Sequence, residues 1–239
     1  MWVLLLVAPL LASLVIVPPA LAEPYVGVYL TGVPSSEHDT ETDRTVLGAT
    51  ERFTTNDVKF KSSVVYGGLV GYRFLPFLAA EIDVYHLNPG PKAQTQTATG
   101  PVTGPLSATI KSGDLDLTIL ALQVVGSFGL LPNNELPDGQ LQLYGGAGLA
   151  IVFAGIDTQI TTSVTLSLKD RTTEVGPQVK GGARWFFTKN LAAFLEGRFT
   201  HAELSFEDTS ATVFGPVRLK SESDLNLPLA VVGVSWFFR

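Results

Sequence analysis

Between Gly176 and Phe187 the chain alternates. Pro177, Val179, Gly181, Ala183, Trp185 and Phe187 hold one parity, and Gln178, Lys180, Gly182, Arg184 and Phe186 hold the other. In Leu191–Thr200, Ala193, Leu195, Gly197 and Phe199 oppose Phe194, Glu196, Arg198 and Thr200. In Phe77–Leu87, Leu78, Ala80, Ile82 and Val84 oppose Glu81 and Asp83. A period of two is the signature of a strand with one apolar and one polar face. Eight such segments are expected: Pro24–Thr31, Val64–Phe74, Phe77–Leu87, Asp114–Gly129, Gln140–Phe153, Gly176–Phe187, Leu191–Thr200 and Leu225–Phe238. In Asp114–Gly129 the run Leu117 to Leu122 is apolar on both parities, apart from Thr118, and assigns no face.

The connections alternate in length. Long polar stretches follow the first, third, fifth and seventh segments, and short ones follow the second, fourth and sixth: Leu75-Pro76, Leu130–Gly139 and Thr188–Asn190. Outer-membrane barrels have long extracellular loops and short periplasmic turns. The loops expected outside are Ser35–Lys61, Asn88–Lys111, Gly155–Glu174 and Glu203–Asp224, the second of them threonine-rich and read as a cover without regular structure. Together these features predict an all-β, closed, up-and-down antiparallel transmembrane barrel of eight strands.

Composition supports a surface that does not face water. Of 239 residues, 46% are hydrophobic and only 16% charged, against ~25% charged in soluble domains. Only helices and closed barrels satisfy their backbone hydrogen bonds in lipid, and the mature chain has no apolar run long enough for a spanning helix. A net charge of −6 argues against a nucleic-acid partner. The absence of cysteine removes disulfides, thiolate metal sites and thiol nucleophiles, and no cofactor is expected.

The N-terminus reads as targeting. Trp2 to Val17 is apolar except for Pro9 and Ser13. Pro18-Pro19 ends the run, and Ala20-Leu21-Ala22 is a small-x-small cleavage pattern. The expected domains are a signal peptide at 1–22 and the barrel at 23–239, with the mature protein in the bacterial outer membrane.

Charge on the lipid face at the midplane costs roughly 2–4 kcal/mol. Glu81, Asp83, Lys180, Arg184, Glu196 and Arg198 are therefore expected to point inward as a lumen charge network. Three acids and three bases can neutralise one another. Counting back from the tight turn near Lys189, Arg184 is expected beside Glu196. Trp185, Trp236 and Phe238 suit an aromatic girdle at the periplasmic interface.

Several motifs carry a family resemblance: Gly68-Leu69-Val70-Gly71-Tyr72-Arg73-Phe74 with the turn at Leu75-Pro76 and Leu78-Ala79-Ala80-Glu81-Ile82, a second copy at Gly181–Phe187 followed by Leu191–Arg198, and the glycine-rich Tyr144–Gly148. In their order and spacing these resemble the OmpA-like eight-stranded outer-membrane barrel superfamily. The end, Ala230, Val232, Val234, Trp236 and Phe238, looks like the terminal recognition strand of such proteins, with Arg239 after the usual final Phe. The resemblance implies two partners: outer-membrane lipids, and the barrel-assembly machinery acting through that strand. The chain ends with the last strand, so a peptidoglycan-binding role is not carried over. The expected function is non-enzymatic, structural or surface-interacting through the loops. The alternatives are a narrow channel for small or hydrophobic solutes, as in the similar OmpW family, and a lipid A-modifying hydrolase using His86, or His201 with Glu203 and Ser205 nearby. The sequence contains no HExxH and no Walker loop.

Overall fold

The computed structural model describes residues 23–33, 37–46, 49–59, 62–90, 92–100, 104–110, 113–161, 165–212 and 215–239. The segment 1–22, with the expected signal peptide, lies outside them. The regular elements among these residues are strands: β1 (Glu23–Val33), β2 (Glu37–Val46), β3 (Ala49–Lys59), β4 (Ser63–Leu75), β5 (Leu78–Leu87), β6 (Gln94–Gly100), β7 (Gly104–Ile110), β8 (Asp114–Leu130), β9 (Leu141–Thr161), β10 (Thr165–Phe186), β11 (Leu191–Thr212) and β12 (Gly215–Phe237). No helix of the described chain is long and apolar enough to cross a membrane.

Eight strands form an antiparallel ring in the order β1-β4-β5-β8-β9-β10-β11-β12, closed where β1 pairs with β12 from Tyr25↔Phe237 to Leu30↔Val232. Closure leaves no edge for lipid to solvate. Neighbouring strands follow one another in sequence, which is the expected up-and-down topology.

The four remaining strands correct the loop reading. The β1–β4 ladder reaches Val33↔Ser63, and β2–β3 resumes at Glu37↔Lys59, four residues further along each arm in the same register. The β5–β8 ladder reaches Leu87↔Leu117, and β6–β7 resumes at Gln94↔Ile110, seven residues further along each arm. The barrel is thus built from four long hairpins. Much of what reads as external loop, including Gln94–Gly100 and Gly104–Ile110 in the expected unstructured cover, is strand. Threonine-rich segments suit a pleated backbone as well as a loop, and hydrophobic patterning alone cannot tell the two apart where neither face meets lipid. β9 to β12 have 21, 22, 22 and 23 residues. Spanning takes about 9–11 residues, so about half of each stands beyond the membrane.

Strand parity sorts the side chains. Val28, Leu30, Val70, Leu149, Leu195 and Val232 lie on the outer face and are exposed. Trp185, Trp236 and Phe238 point outward near the short turns, joined there by Phe77, Phe128 and Phe187. Tyr66, Phe153 and Phe199 are exposed toward the other end. From Trp236 to Pro228, the partner of Phe199, is eight residues. That is roughly 26 Å along the strand, or roughly 20 Å along the barrel axis after the usual tilt of about 40°, close to the ~25 Å apolar band of such barrels.

The short turns are on the girdle side. In the turn between β8 and β9, Gly139 has φ +98°, and a Cβ there would meet the Leu130 carbonyl oxygen at 2.4 Å. Glycine is required both for the left-handed backbone and for the close approach.

Candidate functional site

An eight-stranded barrel is just wide enough for its own side chains to fill. Here they fill it in storeys of different chemistry.

The middle storey holds the charges. On β5, Glu81 and Asp83 are two residues apart and so share the inner face, as do Lys180 and Gln178 on β10 and Glu196 and Arg198 on β11. Arg198 is the hub. Its Nη2 lies 2.7 Å from Asp83 Oδ2, its Nε and Nη2 donate to Glu196 Oε1 at 2.9 and 2.6 Å, and its Nη1 donates to the Tyr29 hydroxyl at 2.8 Å. Tyr29 in turn donates to Asp83. Lys180 pairs with Glu81 and lies 3.4 Å from Glu196 Oε2. Tyr25 donates to Glu81, and Tyr144 donates to Glu196 at 3.1 Å. All five of these charged groups are buried, as is Arg184. At such depth a charge is tolerable only with partners and filled hydrogen bonds.

Arg184 differs from the expectation. The β10–β11 register sets Phe194 opposite Arg184 and Gly182 opposite Glu196. Among the described residues no ion pair joins Arg184 to Glu196. Arg184 instead reaches Glu81 at 3.9 Å, and its guanidinium carbon sits 5.2, 4.9 and 5.0 Å from the ring centroids of Tyr25, Tyr144 and Phe237. The turn is the expected one, with Phe187 N–H on the Leu191 carbonyl, but Arg184 lies five residues before Lys189 and Glu196 seven after it, so the expected pairing was two residues out of register.

Tyrosines that the sequence reading did not single out complete this storey. They fit because glycines stand opposite. A Cβ on Gly71 would come within 2.1 Å of the Tyr25 ring, and one on Gly67 within 2.6 Å of the Tyr29 ring. The shared parity of Tyr25, Gly27 and Tyr29 was the available signal. Above the charges, Gln123 donates to Gln178 at 2.7 Å, Gln178 donates to the Tyr85 hydroxyl at 3.0 Å, and Tyr85 and Thr200 bond at 2.8 Å.

Below, a second ionic cluster sits at the end with the short turns. Arg73 Nη1 lies 3.1 Å from Glu23 and 3.7 Å from Asp138, and Nη2 donates to Gln142 at 3.0 Å. Arg239 returns to the same acids at 3.2 and 3.8 Å, its guanidinium carbon 5.0 Å from the Phe186 ring centroid. The residue that departs from the terminal Phe pattern therefore ties the chain end across the β1–β12 closure.

The upper storey is apolar. Val65, Leu87, Leu117, Ile119, Val152, Leu204, Phe206 and Leu227 are all buried. This explains the unassigned run. Leu117, Ile119 and Ala121 are buried on the inner face, while Leu122 is exposed outside, so both parities meet apolar surroundings.

Two ladders stop beside this storey. β10–β11 pairing ends at Gln178↔Thr200, although both strands continue. β12 pairing on its β1 side ends at Leu30↔Val232 and resumes at Glu41↔Glu222. Pro177 is the next residue at the first seam and Pro228 lies along the second. Strand prolines belong at edges and bulges, where no ladder bond is lost. At the second seam the Thr31 hydroxyl bonds the Ala230 carbonyl in place of a backbone donor.

The two candidate histidines, His86 and His201, are far from one another in the ring, on β5 and β11. His86 Nδ1 bonds Thr118 Oγ1 at 3.1 Å and His201 Nδ1 bonds Asn226 Oδ1 at 2.9 Å. Ser205 is four residues from His201 along a strand, roughly 13 Å away, too far for a nucleophile–base hydrogen bond.

No curated protein sequence matches the chain. Among solved structures it is similar to the Pseudomonas aeruginosa outer membrane protein OprG, at 14% identity over 92% of this chain and 97% of that one, with a TM-score of 0.55. It also matches Neisserial surface protein A (14% identity, 89% and 96% coverage, TM-score 0.44) and the N-terminal β-barrel domain of P. aeruginosa OprF (13%, 90% and 97%, 0.40). The OprG likeness is one of fold. A family model described as the outer membrane protein beta-barrel domain matches residues 7–238, and with this ring of eight strands the chain belongs to that family of bacterial outer-membrane barrels.

Proposed function

We propose that this is a non-enzymatic integral outer-membrane protein whose role is structural or surface-interacting, with the lumen closed by its own side chains. The observation that carries the reading is the Asp83–Arg198–Glu196–Lys180–Glu81 chain of ion pairs across the mid-barrel. A permeating ion would have to displace partners that are buried and mutually neutralised, against a desolvation cost of several kcal/mol per ion. Function then falls to the wall, which contacts outer-membrane lipid, and to the long external hairpins, since exposed segments on a rigid scaffold are where binding usually resides. The alternation of Ala230, Val232, Val234, Trp236 and Phe238 supports delivery by the barrel-assembly machinery. Cleavage after Ala22 would make Glu23 the first residue. Planar-bilayer recording on refolded protein tests the reading. Baseline conductance is expected, and sustained single-channel steps in wild type would overturn it.

A second reading is favoured by the apolar upper storey beside interrupted ladders. A hydrophobic solute entering from outside would meet leucines and valines above the ionic storey, and the seam at Pro177 or Pro228 would be its way into lipid. Uptake of a hydrophobic dye into vesicles should then fall when Cys pairs lock β10 to β11 above Thr200. Unchanged uptake would remove this reading.

A further inference from the structure

The lipid-facing wall is not uniformly convex. A groove of about 890 Å³ crosses the outer face of five neighbouring strands, β11, β12, β1, β4 and β5. Val28 and Leu30, Val232 and Val234, and Val84 form its sides, with Ala193 at one end and Tyr66 and His86 at the other. Four inter-strand steps of about 4.8 Å give it a span of roughly 19 Å.

Gly68 lies at the centre of its β4 edge, paired with Val28 on one side and Val84 on the other. It faces outward, where its neighbours on that face are apolar and large. The inward Gly67 is required by the Tyr29 ring, whereas a Cβ on Gly68 would press only on the Gly27 carbonyl oxygen, at 3.3 Å. A strand-interior glycine weakens its strand and often marks close approach of a ligand or another backbone. The space it leaves opens into the groove. The Tyr66 and His86 rings, with centroids 5.6 Å apart, bring polar atoms to the end away from the Trp236 girdle.

We propose that this groove is a specific seat for one acyl chain of an outer-leaflet lipid, with the lipid's polar portion beside Tyr66 and His86. The occupant follows from continuity with an interface already described. The groove lies within the apolar band between the two aromatic girdles, so hydrocarbon is what borders it. Its polar end is at the external girdle, the height of ester and headgroup atoms. A second barrel is the competing occupant. A convex wall of the same size fills a groove of this width poorly, whereas a flexible chain follows it.

The test is native mass spectrometry of the mature protein in mild detergent with added dipalmitoyl phosphatidylethanolamine. Wild type should retain a single lipid at activation energies that strip all others. Gly68→Phe, which fills the groove, should lower that occupancy at least tenfold. Leu149→Phe, outward on β9 on a remote part of the wall, should leave it unchanged. Heat-modifiable gel mobility checks that each variant is folded, and Ala193→Phe replaces Gly68→Phe if the latter fails that check. A graded series of lipid adducts with no privileged first one overturns the proposal. So does equal retention by the groove-filling variant, or a protein dimer that Gly68→Phe dissociates.

Discussion

The two storeys of the lumen solve one problem in opposite ways. Both must fill the same width with buried side chains. The middle storey does so with six charges and four tyrosine hydroxyls, each group dependent on the geometry of the next. The upper storey uses leucine, isoleucine, valine and phenylalanine, which need only fit. Apolar filling tolerates loss in proportion to the volume removed. Ionic filling does not, because removing one partner leaves another charge buried alone. The ionic storey is therefore the brittle part of the barrel, and the apolar storey the compliant part.

Mutation can break this contrast, most sharply at the hub. Arg198→Ala strands Asp83 and leaves Glu196 with Lys180 alone, and should cost about 3–5 kcal/mol, read as a lower urea midpoint for unfolding from lipid vesicles by Trp185 and Trp236 fluorescence. Leu117→Ala in the upper storey should cost about 2–5 kcal/mol, toward the lower end if neighbours relax. If the same urea titration finds it costlier than Arg198→Ala, the brittle and compliant roles are reversed. Gly71→Ala sharpens the point from a different side, since its Cβ would meet the Tyr25 ring. An overpacking penalty of about 1–3 kcal/mol is expected, and Tyr25→Leu in the same background should recover part of it. The smallest effect lies outside the contrast. Asp114 and Asp157 face each other across β8–β9, and like charges directly opposite are destabilising. Asp114→Asn should stabilise by roughly 0.2–1 kcal/mol, an effect that added salt would diminish.

How much of this was legible depended on contrast between the two faces of a strand. Where lipid lies outside and charge inside, as at Glu81, Asp83, Lys180, Glu196 and Arg198, parity alone assigns the inner face. At Leu117 to Leu122 both faces are apolar, and the pattern carries no information. In the external halves of the hairpins neither face meets lipid, so a threonine-rich strand reads as a loop. The interior tyrosines were readable by parity but only in retrospect, since a tyrosine suits lipid interface, lumen and girdle alike. Arg73 and Arg239 also escaped the sequence reading, because their partners Glu23 and Asp138 are distant in sequence and meet only when the ring closes.

The sequence by itself determined the number of strands in the ring and which charges turn inward, because both follow from the cost of placing a charge in hydrocarbon at a period of two. The tertiary structure alone decided who pairs with whom. Arg184 leans on Glu81 and three aromatic rings, and Glu196 turns to Arg198 and Lys180. A hairpin register shifts partners by two residues without moving any side chain to the other face. Parity is insensitive to such a shift, and a cross-lumen contact depends on it entirely.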